Sequence, residues 1–339
     1  MFPVRSFGPF RGWGSGQAGR SSGSQARPWS GNGLVRRRGG AGAAWAWLIQ
    51  IACSPPSSAT TPQPPQGPLD LEAARAYVLQ LVNTERLAQG LPSVELDVSA
   101  ERAGQEHAED MAELGFTAHW GSDGSVPEER YTRAGGQHFV QENAACFFDG
   151  EARPLDAEPR FSVSLLEQIE AAFLAEVPPH DGHRRNILKP THTGLGIGLA
   201  QPAGLAQPCM AQEFVDARGR YEPLPSTARV GQMLHIAGEL TEAVQFGGVG
   251  LSRIEPRKPL GVQHLNATSS YPIPAPYQTY FPEGYQTPKP VALTGRRFSI
   301  DVPVSDRKRP GRYGVSIWGI YPNSGDQLVM VSLRIVAVQ

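Results

Sequence analysis

Three cysteines (Cys53, Cys146 and Cys209) and eight histidines in 339 residues are the side chains of this chain best suited to nucleophilic or metal chemistry. Two short motifs offer more. Gly14-Ser15-Gly16-Gln17-Ala18-Gly19 fits the dinucleotide pattern GxGxxG, and Gly19-Arg20-Ser21-Ser22-Gly23 fits the nucleophile-elbow pattern GxSxG. Both patterns work only where a strand feeds a helix, because the tight turn and the helix N-terminus supply the chemistry. Neither hit follows a strand or opens a helix, and both sit in a Gly/Ser-rich tract, so they read as chance. No HExxH segment is present to put two histidines and a base on one helix face. No Ser or Cys stands beside a recognisable base. The sequence therefore predicts no catalytic residue.

Charge narrows the function further. Lys and Arg number 31 against 32 Asp and Glu, but residues 1–69 hold seven Arg and no acid, leaving 24 basic and 32 acidic residues in 70–339. A body at net -8 argues against a nucleic-acid partner, whose footprint is a basic face. Residues 1–34 lack apolar periodicity and read as disordered or as a start called too early. Residues 35–53 have the grammar of an export signal: Arg36-Arg37-Arg38, the apolar run AGAAWAWLIQIA at 41–52, then Cys53. Ile51-Ala52-Cys53 resembles a bacterial lipoprotein cleavage box, which makes Cys53 the candidate lipidation site and the membrane a partner through that anchor. Residues 54–68 carry six Pro in fifteen positions and predict a semi-extended linker. With Cys53 consumed by lipid, Cys146 and Cys209 remain as an even pair for a disulfide in an oxidising compartment. Two buried free thiols are the open alternative.

The elements that must position any site begin at Leu69. LDLEAARAYVLQLVNTERLAQGL puts Leu71, Ala74, Val78, Leu81 and Val82 on one helical stripe, and VSAERAGQEHAEDMAELGF repeats the period up to Gly115. A short helix follows at 127–134, a strand at 139–147, and a third amphipathic helix through Leu165, Leu166, Ile169, Ala172 and Phe173. LGIGLA (195–200) and CMAQEF (209–214) read as antiparallel strands. Helices around a small sheet predict an α+β module over 69–224. From 226 to 339 the pattern changes to short strands, with alternation at Phe298, Ile300 and Val302, and predicts an all-β immunoglobulin-like sandwich. Residues 256–290, with eight Pro and Tyr271, Tyr277, Tyr280 and Tyr285, read as an extended loop. The sequon Asn266-Ala267-Thr268 reads as silent behind a bacterial-style leader.

LVNTERLAQGL, AGQEHAEDMAELGFTAHWGSDGS, QENAA, DGHRRNIL, THTGLGIGLA and AQEF occur in an order and spacing that resembles the bacterial branch of the CAP superfamily, or SCP domain. The resemblance covers about 69–220 and implies an α-β-α sandwich with a central cleft of His and acidic residues, where some members bind a divalent metal. It places His119 and His183 as the cleft histidines and Glu142 as the first cleft acid. Phe173 stands where animal and plant members carry a Trp, which puts Glu176 at the fourth position, with His180 as a competing ligand. Two imidazoles and one or two carboxylates are an N/O donor set suited to Zn²⁺. Without metal the same groups form a hydrogen-bonded polar cluster. His107, His138 and His192 read as surface or core-edge residues.

Family members are regarded mostly as binders of lipids, sterols, metals or partner proteins. The expectation is thus an exported cell-envelope binding module, with an envelope lipid, glycan or protein as its ligand, and not an enzyme. Two other readings stay open: a metal-dependent hydrolase of envelope peptides or lipids, and a structural envelope protein whose cleft has no function.

Overall fold

In the computed structural model, residues 66–268, 270–322, 325 and 327–339 are described. The export signal at 35–53, with Cys53, and most of the 54–68 linker lie outside them. The described residues fall in one contiguous contact unit. Among them no helix is long and apolar enough to cross a membrane.

The first half stacks helices on both faces of a sheet. α1 (Leu71–Ala88) starts at Asp70, whose carboxylate accepts from the Ala73 N–H at 2.9 Å. α2 (Val98–Leu114) is capped in the same way by Asp97 on Ala100 N–H at 2.9 Å, and it stops at Gly115, whose φ of 67° suits a residue without Cβ. Four strands make up the sheet: β1 (Glu95–Leu96), between the two helices, and β2 (Phe139–Ala145), β3 (Gly194–Ala200) and β4 (Cys209–Asp216) after them. They lie in the order β1-β3-β4-β2, with β1 and β3 parallel and the rest antiparallel, so β2 is an edge strand.

The GLGIGLA alternation of β3 is what makes three layers possible. Leu195, Ile197 and Leu199 enter the core formed with Val78 and Val82 of α1 and with Leu166 and Phe173 of α4 (Val163–Leu174). The glycines face α2. A Cβ on Gly196 would stand 2.1 Å from the carbonyl carbon of Ala100, and one on Gly198 would stand 2.1 Å from that of Gly104. A slip of one residue would thus drive Leu and Ile side chains into the α2 backbone and hand glycines to the other core.

Between α2 and β2 lies α3 (Pro127–Arg133), opened by Pro127, and before β3 lies α5 (Gly182–Ile187). Cys146, just past β2, is bonded to Cys209 at the start of β4, closing a separation of 63 residues.

The second half is two antiparallel-rich sheets sharing one core. β5 (Gly219–Tyr221), β7 (Met233–Leu240), β10 (Ala292–Thr294) and β11 (Arg297–Pro303) form one in the order β10-β11-β7-β5. β6 (Thr227–Ala228), β8 (Gln245–Ile254), β9 (Gln278–Tyr280), β12 (Gly311–Ile320) and β13 (Val329–Val338) form the other in the order β6-β13-β12-β8-β9. Phe298, Ile300 and Val302 alternate into the shared core beside Val315, Ile317 and Val331. The chain is α+β: a helix-sheet-helix half followed by a sandwich.

Residues 256–290 are more than an extended loop. They contain α6 (Val262–Asn266) and β9, and the segment packs on the first half. Leu265 is buried among Ala108, Met111 and Phe116 of the α2 region. The Asn266 side chain accepts from Thr117 N–H at 3.0 Å and donates to Phe148 O at 3.1 Å and Gly115 O at 3.3 Å. The sequon amide is thereby spent on holding the two halves together. Pro and Tyr content announced an irregular segment, whereas its helix rests on five residues whose apolar anchor is one Leu.

Candidate functional site

β2 supplies the floor of the cleft at the free edge of the sheet. Its alternation sends Val140, Glu142 and Ala144 to the α2 side, and Gln141 and Asn143 to the other. His119, in the turn after α2, meets Glu142 through Nδ1 to Oε1 at 2.8 Å. Arg130 of α3 donates from Nη2 to the other carboxylate oxygen at 2.6 Å, and it also donates to the His119 carbonyl at 3.2 Å. Arg130 is 1% exposed and Glu142 5%, so this is a fully desolvated ion pair.

Burial would raise the Glu142 carboxyl, but the facing His107 and Arg130, with the hydrogen bond from His119, hold it well below the usual carboxylate range. It is ionised and can only accept, so the His119 Nδ1 carries the proton and donates it. In the neutral ring the His119 lone pair is then on Nε2.

Glu176 and His183 repeat the arrangement across the cleft. Glu176, just past α4, accepts from the His183 Nδ1 at 2.6 Å and from the His183 backbone N–H at 2.9 Å, so one carboxylate both caps α5 and orients the imidazole. The ring rests on Phe173, centroids 4.5 Å apart. Burial lowers the His183 pKa by more than Glu176 lifts it, which keeps the ring neutral. The rings of His119 and His183 are 6.4 Å apart. His180 is exposed in the preceding turn, and Glu176 is the residue beside His183.

Behind the imidazoles runs an amide chain. Asn186 donates to Asn143 Oδ1 at 2.9 Å, Asn143 to Gln212 Oε1 at 3.1 Å, and Gln212 to Glu170 Oε2 at 2.7 Å. Asn143 also donates to the His183 carbonyl at 3.2 Å, tying α5 to β2.

The four residues picked out by resemblance thus come together, but the two carboxylates serve the imidazoles. Glu142 is used up by His119 and Arg130, and Glu176 by His183 and the α5 backbone. Among the described residues no group of three or more His, Cys, Asp and Glu has the arrangement of a metal site. What the donor set fits is attachment through two imidazole nitrogens, each fixed by a carboxylate on its other nitrogen. It does not fit a closed shell of four protein ligands.

Several residues at the site were invisible in sequence. His107 is fully buried, donates from Nε2 to the Ala118 carbonyl at 2.7 Å and lies 3.7 Å from Glu142; burial and the Arg130 charge pull its pKa down to about 4. Its full burial beside Glu142 corrects the reading of His107 as a surface or core-edge residue. His192, also buried, pairs with Asp216 at 2.9 Å. Glu213 stands opposite Glu142 in the β2/β4 register, where burial and the Glu142 charge push its pKa up and leave it neutral. Glu128 is raised to about 7 by burial. It accepts from the Tyr271 hydroxyl at 2.9 Å, and the Tyr271 ring lies 5.9 Å from that of His119. Tyr271, Ser270 and Ile273 of the 256–290 segment thereby wall a cavity of about 190 Å³ together with His119, Glu142 and Asn186.

Residues 79–207 match the family model of the cysteine-rich secretory protein family, CAP. Among solved structures, an extracellular protein containing an SCP domain from Bacillus anthracis is 21% identical with a TM-score of 0.31; the match covers 42% of this chain and 40% of that one. An outer surface protein from Borrelia burgdorferi is 16% identical with a TM-score of 0.33, over 44% of this chain and 96% of that one. No curated protein matches.

Proposed function

We propose, on the premise that residues 79–207 are a CAP domain of the cysteine-rich secretory protein family, that this is an exported binding module. Its cleft takes a divalent cation, or a small group that donates hydrogen bonds, at the Nε2 atoms of His119 and His183. One observation carries the reading: both imidazoles donate Nδ1–H to a carboxylate, His119 to Glu142 and His183 to Glu176, which leaves Nε2 of each neutral ring as an acceptor, and the ring centroids are 6.4 Å apart. Acceptors in pairs select a cation or a donor over an anion. A bound cation would supply a Lewis-acidic centre with positions left for water or ligand. Asn186 and Gln141 stand at the cavity wall to orient what enters.

The cavity on the His119 side, which His183 does not line, has a volume of about 190 Å³, below the roughly 300 Å³ at which ligand pockets for larger molecules begin, and suits a small polar group. Export is supported by the Cys146–Cys209 disulfide, which persists in oxidising compartments. Anchoring through a lipid on Cys53 is part of the same proposal.

The test is calorimetric titration of the protein with Zn²⁺ at pH 7.5 and pH 5.5, against His119→Ala/His183→Ala. One-to-one binding that weakens at pH 5.5 and disappears in the double variant is expected, because protons compete for imidazole nitrogen. Equal heats from wild type and variant would reduce the cleft to scaffold.

A further inference from the structure

Asn186, which lines the cleft cavity, is one link in a line of side-chain hydrogen bonds that runs from the surface into the core. Lys189 Nζ donates to Gln141 Oε1 at 2.6 Å, and Gln141 Nε2 donates to Asn186 Oδ1 at 3.3 Å. From Asn186 the line continues through Asn143 and Gln212 to Glu170 Oε2, and every amide in it donates toward Glu170. Asn143 and Gln212 face each other in the β2/β4 register and are fully buried, and Glu170 of α4 is 3% exposed. A cation that can only donate stands at one end, and a carboxyl group that accepts stands at the other.

Amides in series have two consistent senses, because turning one of them alone sets oxygen against oxygen and N–H against N–H at its neighbours. In a desolvated line each such clash leaves polar groups unpaired, so the amides turn together or not at all. The ends therefore choose the sense. Lys189 is partly exposed, pairs also with Asp216, and reaches the line through its longest bond, the 3.3 Å from Gln141 to Asn186. Glu170 is the stronger end, since it sits in the core and meets Gln212 Nε2 at 2.7 Å.

That sense decides what Asn186 has to offer in the cleft. Asn186 commits both N–H groups, one to Asn143 Oδ1 at 2.9 Å and the other to the Glu142 carbonyl at 3.2 Å. What it has left for anything in the cavity is a lone pair on Oδ1. In the reverse sense Oδ1 would accept from Asn143, and an N–H would be left over. We propose that Glu170, which does not line the cavity, is a positioning residue that makes Asn186 an acceptor there. It matches Asn186 to the two imidazole acceptors and so sets the cleft for a cation or a donor. For its ligand this rests on the cleft reading above, whereas the amide sense stands without it.

The experiment compares wild type with Glu170→Gln and Lys189→Met at pH 8, where Glu170, pushed up to about 7 by burial, is ionised. Glutamine keeps the shape but can donate as well as accept, so the inner end no longer fixes the sense. The side-chain amide signals of Asn143 and Asn186 in ¹⁵N NMR should be single in wild type and in Lys189→Met, and doubled or broadened in Glu170→Gln. Zn²⁺ affinity, read by calorimetry, should fall at least about threefold in Glu170→Gln, in line with the worth of one hydrogen bond. The His119 and His183 Nδ1 proton signals should stay where they are. Unchanged amide signals or unchanged Zn²⁺ affinity in Glu170→Gln would overturn the proposal. Zinc that binds neither protein would remove the cation reading, and the amide signals would still decide whether Glu170 sets the sense of Asn186. Should Glu170→Gln not fold, the scalar coupling across the Gln212 Nε2–Glu170 hydrogen bond in wild type decides, and its absence overturns the assignment.

Discussion

The Tyr271 hydroxyl donates to Glu128 Oε1 at 2.9 Å while its ring stands 5.9 Å from that of His119, so a residue of the second half closes a cleft built by the first. Trp120 braces the same ring at 6.1 Å. Truncating Tyr271 to Ala removes the cover and leaves the His119–Glu142 contact in place. Carbethoxylation of His119, followed by mass spectrometry of the peptide, should then run several times faster than in wild type. Equal rates in the two proteins would mean that Tyr271 does not cover the imidazole.

The cleft also sets the pH range of stability. Glu128 titrates at about 7 when folded, against about 4.5 in the free chain. The folded state thus holds a proton that the unfolded state has lost, and stability falls as pH rises from about 4.5 through 7. The shift of about 2.5 units corresponds to about 3 kcal/mol at most. His107 works at the other end: its folded value of about 4 lies below the free value of 6.5, so stability is lost as pH falls through that window. Glu128→Gln keeps an oxygen for the Tyr271 hydroxyl and has no proton to lose. Urea unfolding at pH 5, 6, 7 and 8 should show the alkaline loss reduced in this variant, with the acid side unchanged. A wild-type curve that Glu128→Gln merely shifts vertically would refute the assignment.

Periodicity made the helices readable: the Val78 and Val82 stripe states locally what the fold does globally, whereas the Asp70 and Asp97 caps and the Leu-Gly alternation of β3, equally local, were not read from the sequence. His119, Glu142 and His183 were picked out through the ordered motifs of the family resemblance, not through local spacing. Arg130 and Tyr271 were not. Arg130 reaches Glu142 across a helix-to-strand turn, and Tyr271 arrives from 129 positions beyond Glu142, so no local spacing relates them. His107 shows a different blindness. On α2 its neighbours Glu106 and Gln105 are polar, and the burial of His107 is decided by Phe116 and the Ala118 carbonyl folding back over it.

The Arg130–Glu142 pair is the charge relationship on which the cleft geometry depends. Arg130 holds the inner carboxylate oxygen at 2.6 Å and the His119 carbonyl at 3.2 Å, so it fixes both partners of the His119–Glu142 contact. Arg130→Met has about the same length and removes the charge, leaving Glu142 ionised in a site that water does not reach. Breaking a buried pair from one side typically costs about 3–5 kcal/mol. Glu142→Gln added to it removes the stranded charge while keeping an acceptor for His119 Nδ1. The double variant should therefore recover at least about 1 kcal/mol of the single loss, which a double-mutant cycle in urea reads directly. His119 gives a second reading: with the charge gone and its carbonyl released, its Nδ1 proton signal in NMR should broaden or vanish in Arg130→Met. A loss under about 1 kcal/mol with that signal intact would show that the sheet edge holds Glu142 and His119 in place without the guanidinium.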